Sequence, residues 1–268
     1  KESIGSQELA SKGVSDASVA TTKISGVTKS EGSGDIYIRG LGDRYLSTTM
    51  NGLPIPSDDV NNKNINLNLF STDIIKNVGI SKTYETSSYA DQTSGNVDVA
   101  SKVYSKKQTA IGASFGYNTN TLGLDGDFKR SIVTNDVTLG FHKKQYALVD
   151  LITRQGWDPL AQKSTGNYGV SVSAGRKYEV FGKQLKVFVA GSHSKSNTYQ
   201  EGVFKSFRSN VLDNKFTDTE LFSSNINSTG YVSLGLKIND NNNIKVSSLS
   251  VNKSTDNVYE QGRNGLGY

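Results

Sequence analysis

The chain has 268 residues, of which 34% are hydrophobic, with 27 glycines, 3 prolines, no cysteine and a formal net charge of +5. Without cysteine there are no disulfides, thiolate metal sites or thiol nucleophiles, and lysines scattered singly do not make the basic block of a nucleic-acid footprint. No stretch approaches the ~20 apolar residues of a membrane-spanning helix, and a mean hydropathy of −0.47 suits β-strands that keep one polar face.

Residues 1–102 mix short helix and strand signals. Ser15 and Asp16 are suitable N-caps for a short helix through Val19 to Lys23, stopped by Ser25-Gly26. The stretch "GDIYIRGLGDRYLSTTMNGLPIP", residues 34–56, holds two strands, 35–39 and 45–51, joined as a hairpin-like pair through the turn residues Gly40 and Gly42. Asn51-Gly52 makes a second turn. These glycines do not form a dinucleotide loop: the third glycine of G-x-G-x-x-G is missing, and the residues after Gly42 favour a strand over a helix.

Between Pro56 and Ile65 the polar residues Asp58, Asp59, Asn61, Asn62, Lys63 and Asn64 form an exposed loop. Asp58-Asp59 reads as a solvated acidic pair rather than a calcium site. Ser71 or Thr72 caps a helical turn over 73–76, and 78–82 returns as a strand. This half is a small α+β unit.

From about residue 106 the pattern changes to period two, with apolar side chains alternating with small or polar ones. Ile111, Ala113, Phe115 and Tyr117 follow it, as do Val137, Leu139 and Phe141. It continues through 168–174, 185–189, 232–238 and 244–246, for roughly eight strands at ~10 residues each plus connections. Residues 239–243 are a tight polar hairpin turn and Lys143-Lys144 another, whereas 155–167 and 191–228 include long polar connections.

Short turns on one side and long loops on the other describe antiparallel strands of a transmembrane β-barrel. A soluble β-sandwich shares the alternation. Uninterrupted runs such as 168–176 and the scarcity of proline favour the barrel. Tyr117, Tyr146, Trp157, Tyr168, Tyr178, Tyr199 and Tyr231 then fall near strand ends, where aromatic girdles sit.

Nothing points to catalysis. His142 and His193 stand at expected strand ends among lysine and serine, without carboxylates at metal-ligand spacing. No G-x-S-x-G precedes a helix, and the Gly-Lys pair at 182–183 lacks Walker spacing. The expectation is a non-enzyme with no cofactor and no metal site.

Four motifs in order resemble the plug domain of TonB-dependent outer-membrane receptors. "ELASKGVSDASVATTKISGVT" is similar to the helix leading into the family's "ipGv" stretch, here Ile24-Ser25-Gly26-Val27. "DIYIRGLGDRYLSTTMNGLPIP" is similar to "i.iRGlg.ry..v.lNGvpip", and "LNLFSTDIIKNVGISKTYE" to the stretch around "iesievlKg". "YADQTSGNVDVASK" resembles the closing plug strand, with Ser94-Gly95 where the family usually has Gly-Gly. The "RGLGDRY" form resembles large receptors of Bacteroidetes, which often carry an N-terminal carboxypeptidase-regulatory-like domain.

The resemblance implies an α+β plug over 1–102 followed by the first part of a transmembrane β-barrel over 103–268, in the bacterial outer membrane. A plugged barrel has about 22 strands, and about eight strands make a wall already filled by its own side chains. The expectation is that the chain is part of a longer receptor, with completion of the wall by other chains as the less favoured alternative. The implied function is energised uptake of a large or scarce nutrient, with the inner-membrane TonB complex and outer-membrane lipids as partners. A SusD-like lipoprotein is a further partner in SusC-like relatives.

Arg39 of the "IRG" motif, and secondarily Arg44, would tether plug to barrel. The 58–64 loop would face substrate at the plug apex. The rival reading is a receptor-like barrel that serves as a non-transporting subunit of a larger outer-membrane assembly.

Overall fold

The computed structural model describes residues 2–12, 14, 16–30, 35–57, 61–84, 86, 89–90, 92–104, 106–124, 127–132, 136–150, 158–163 and 166–262. The chain forms two compact units. One comprises Lys1–Ile111, Val172–Ser192 and Thr229–Val251, and the other Gly112–Ser171, His193–Ser228 and Asn252–Tyr268. No helix among the described residues is long and apolar enough to cross a membrane.

The first unit begins with β1 (Glu2–Gly5), α1 (Ser6–Ser11), α2 (Ala17–Thr21), β2 (Val27–Lys29) and β3 (Ile36–Ile38). A 3-10 turn (Asp43–Tyr45), β4 (Leu46–Met50), β5 (Leu53–Pro54), a second 3-10 turn (Leu67–Leu69), β6 (Ile75–Ser81) and β7 (Gly95–Ser101) follow. Asp16 caps α2 as the sequence predicts: its extended backbone turns the carboxylate back to accept from Val19 N at 3.0 Å.

The sheet order is β1-β6-β7-β4-β5, with β4 and β7 parallel and the other neighbours antiparallel. One face buries Ile75, Val78, Ile80, Val97 and Val99 in a core shared with Ala17 and Ala20 of α2, Ile38 of β3 and Phe70. Small alanines let the short helix approach the sheet closely, and the alternation in β7 puts every second residue into this core.

Two local expectations fail here. β3 does not pair with β4; it pairs with β2 as a separate two-stranded sheet, while β4 joins β7 and β5. The Arg39-Gly40 turn folds the chain back only as far as Leu41, and the following 3-10 turn redirects it. Nor do residues 73–76 form a helical turn. Ser71 Oγ accepts from Asp73 N within a tight turn, and the β-branched Ile75 already begins β6, where its side chain is wholly buried.

The remaining strands are β8 (Gln108–Gly116), β9 (Phe128–Arg130), β10 (Val137–Thr138), β11 (Phe141–His142), β12 (Leu160–Gln162), β13 (Asn167–Val180), β14 (Lys183–Arg208), β15 (Val211–Lys237) and β16 (Asn243–Gly262), with α3 (Thr119–Leu122) after β8. Among the described residues only five, in the order β16-β15-β14-β13-β8, make the continuous sheet. β12–β9 and β10–β11 form separate two-stranded pairs, which makes nine strands from β8 onward among the described residues against the roughly eight expected.

β14 and β15 differ most from the sequence reading. The region 191–228, read as containing long polar connections, is two strands of 26 and 27 residues closed by the two-residue turn Ser209-Asn210, both at positive φ. At ~3.3 Å per residue such a strand is about 85 Å long, whereas ~10 residues span a membrane. Beyond the apolar alternation the strands turn from half-buried to exposed toward Ser209-Asn210, with Val203, Phe204, Phe207, Val211 and Leu212 scattered out of period two, yet the ladder of backbone hydrogen bonds continues.

Other positions shift with it. Residues 137–141 are a hairpin turning at Leu139-Gly140 rather than one strand, and Lys143-Lys144 follow it instead of forming the turn. His193 lies inside β14, not at a strand end, with Nδ1 2.8 Å from Ser228 Oγ. Tyr199 and Tyr231 are buried within β14 and β15 and are not girdle residues. Trp157 lies outside the described residues. The turn at 239–242, between β15 and β16, is where the sequence places it.

In the second unit Phe128, Tyr199 and Phe222 cluster, with Phe128 edge-on to Phe222 at 5.7 Å. Lys129 pairs with Glu260 there, and its Nζ lies 5.5 Å from the centroid of Phe222.

The direction of the alternation decides between barrel and sandwich. Ile111 and Phe115 on β8 are 83% and 84% exposed, and Val170, Val172, Val232, Leu234 and Val246 are exposed too. Ser173, Thr229 and Ser233, alternating with them, are buried. A sandwich would bury the apolar set. An apolar outer face over a polar inner one is the arrangement of barrel strands in lipid. The architecture is thus a plug-like α+β sheet with short helices, followed by long antiparallel strands of a partial barrel.

Candidate functional site

The site is built from the loops at the ends of β3, β4 and β7. Arg39 and Gly40 take left-handed backbone, φ +52 and +79, in a turn closed by Ile38 N to Leu41 O and Leu41 N to Ile38 O, each 3.0 Å. Arg39 is held there by its amide donating to Gly26 O at 2.9 Å. Gly42 has an ordinary negative φ, and its lack of a side chain serves a different end: a Cβ would come within 2.8 Å of the Tyr37 ring. The side chains of Arg39 and Arg44 are exposed and form no ion pair among the described residues.

Asp43, at the head of the 3-10 turn, organises the loop. Its carboxylate accepts from Lys63 N at 2.6 Å and Asn64 N at 3.0 Å, and Asn64 Nδ2 donates to it at 2.9 Å. Lys63 Nζ donates to Leu46 O at 2.7 Å, and Ser57 Oγ to Asn64 O at 3.1 Å. A carboxylate that gathers several N–H donors is a strong local clamp. Lys63 and Asn64 are therefore turned toward their own scaffold. Asn61 is exposed and Asn62 half-buried, while Asp58 and Asp59 lie outside the described residues.

At the other end of the loop Asn51 and Gly52, φ +54 and +81, form the predicted turn between β4 and β5. A polar ladder fixes it to β7. Ser47 Oγ donates to Asn96 Oδ1 at 2.7 Å, Thr49 Oγ1 to Asp98 Oδ1 at 2.8 Å, and Gly52 N to the same carboxylate oxygen at 2.8 Å. Asn51 spends its whole carboxamide on Ser101. Its Nδ2 donates to Ser101 Oγ at 3.0 Å, and its Oδ1 accepts from Ser101 N at 3.0 Å and from Ser101 Oγ at 3.1 Å.

Ser101 also meets β15. Tyr231 OH donates to Ser101 Oγ at 2.7 Å, with Lys102 O 3.3 Å away, and Thr229 Oγ1 donates to Leu69 O at 3.3 Å. Phe188 and Ala190 of β14 join Tyr231 in the core that contains the α+β sheet. Alternation along the strand places Tyr231 in a girdle, whereas the structure buries it against Ser101. Burial lowers the pKa of the nearby Lys102, opposed by Asp73, and its ammonium donates to Thr72 O at 2.9 Å.

Chemically the arrangement holds loops, and among the described residues no group of three or more acidic or imidazole ligands could bind a metal. Residues 1–97 match the family model described as TonB-dependent Receptor Plug Domain. The first 97 residues are thus similar to a TonB-dependent receptor plug domain, and long antiparallel, barrel-like strands follow them.

No curated protein matches the chain in sequence. Among solved structures, the ferric enterobactin receptor (PfeA) in complex with BCV-L6 is 10% identical with a TM-score of 0.34, over 96% of this chain and 55% of that one. The copper transporter OprC is also 10% identical with a TM-score of 0.34, over 99% of this chain and 47% of that one. The chain spans about half the length of these two structures.

Proposed function

We propose that the protein takes part in energised uptake of a large or scarce nutrient across the outer membrane. Residues 1–102 act as plug and 103–268 as the first part of the wall. The inner-membrane TonB complex supplies the pull, and a SusD-like surface lipoprotein is the outer partner. The observation that carries this reading is the match of residues 1–97 to a plug-domain model, followed by long antiparallel strands with an apolar exposed face.

In the same reading the loop at 58–64 presents the cargo-contacting residues, and Arg39, with Arg44, engages wall carboxylates. The test compares cells with and without the protein, each with and without TonB, for depletion of labelled ferric chelates, cobalamin and oligosaccharides from the medium. Depletion that needs both proteins supports uptake. Depletion indifferent to TonB, or none together with stoichiometric co-purifying subunits, overturns it in favour of an assembly role.

A further inference from the structure

We propose that Ser101 is the junction of a relay that couples the loop-bearing turn at Asn51-Gly52 to the wall contact at Tyr231, a regulatory role that rests on the transport reading for its purpose. The Ser101 hydroxyl is fully committed. It donates its one hydrogen to Asn51 Oδ1 and accepts from Asn51 Nδ2 and Tyr231 OH. Ser101 is 3% and Tyr231 1% exposed, so water cannot replace a lost partner.

The turn side is equally constrained. Asn51 sits at φ +54 with both polar atoms of its carboxamide on Ser101, and Asn51 N donates to Val99 O at 3.1 Å. The loop that leaves this turn is clamped at its far end by Asp43. A load on the loop is therefore delivered to Asn51, and any rotation of that carboxamide removes the partners that orient the Ser101 hydroxyl toward Tyr231. The second wall contact, Thr229 to Leu69, shares no atom with this chain of bonds and serves as an internal control.

The experiment is hydrogen exchange by mass spectrometry on the full chain in outer-membrane vesicles. Tyr231→Phe removes one hydroxyl and keeps the ring. It is expected to speed exchange of the Asn51, Gly52 and Ser101 amides about tenfold, the effect of losing one buried hydrogen bond. Asn51→Gly keeps the left-handed turn and removes the carboxamide; it is expected to speed exchange around Tyr231 and Lys102 similarly. Thr229→Val should leave Asn51 and Gly52 unchanged.

Exchange at Asn51 and Gly52 that ignores Tyr231→Phe, or that responds equally to Thr229→Val, overturns the relay. The TonB-dependent depletion assay is read separately. If depletion is absent while the exchange pattern holds, the transport reading falls and the relay stands.

Discussion

The Tyr231 hydroxyl reaches Ser101 Oγ at 2.7 Å across 130 positions of sequence, and both side chains are buried. Together with Thr229 Oγ1 to Leu69 O and the packing of Phe188 and Ala190, this bond joins strand to sheet among the described residues. Its net contribution is about 1 kcal/mol, but leaving either partner unpaired inside the core costs ~1–3 kcal/mol. The bond is thus specific in geometry and modest in net energy.

Gly95 opens β7 where a side chain has no room: a Cβ would lie 2.5 Å from Ser81 O, a backbone atom that can move only with β6. Gly95→Ala is expected to destabilise the sheet by more than ~1 kcal/mol, whereas Gly5→Ala, with open space around it, stays within about 0.5 kcal/mol. Exchange protection of β6 and β7 amides measures the difference. Equal protection in the two variants would refute the steric account.

Asp43→Asn keeps the shape of the side chain and removes its charge. The bonds from Lys63 N and Asn64 N weaken, with an expected loss of about 1–2 kcal/mol in loop closure. Limited proteolysis in the 57–64 segment should accelerate several-fold. A cleavage rate equal to wild type would show that the clamp does not order the loop.

Phe115, 84% exposed on β8, belongs to the apolar outer face. If that face meets lipid, Phe115→Arg costs roughly 2–4 kcal/mol near the bilayer midplane and less toward the interfaces. Outer-membrane insertion and heat-modifiable migration report it. Normal insertion with an unchanged folding midpoint would remove Phe115 from the lipid face.

Arg39 combines a strained backbone with an exposed charge, so the two must be separated. Arg39→Gly relieves the left-handed conformation by about 1 kcal/mol, and Arg39→Ala retains the strain. If the guanidinium tethers the plug, both variants lose exchange protection in residues 36–50 despite that relief. Protection that rises in the glycine variant would leave Arg39 a turn residue alone.

The sequence by itself determined what is written locally. The Asp16 cap, the Asn51-Gly52 and 239–242 turns, the closing strand at Gly95 and the four plug motifs each depend on a few adjacent residues and their backbone preferences. The apolar alternation of β8, β13 and the last third of β15 was legible for the same reason, since period two is a property of one strand.

Tertiary structure alone decided the pairing. β3 chose β2 over β4, β4 lay parallel to β7, and β14 and β15 continued as strands through 191–228, where apolar residues are scattered and no sustained alternation survives. It also decided that Tyr231 and Phe188 face the plug core and that Asp43 holds the loop. A ladder of backbone hydrogen bonds is indifferent to side-chain pattern, and a buried hydroxyl acquires its partner only when segments far apart in sequence are brought together.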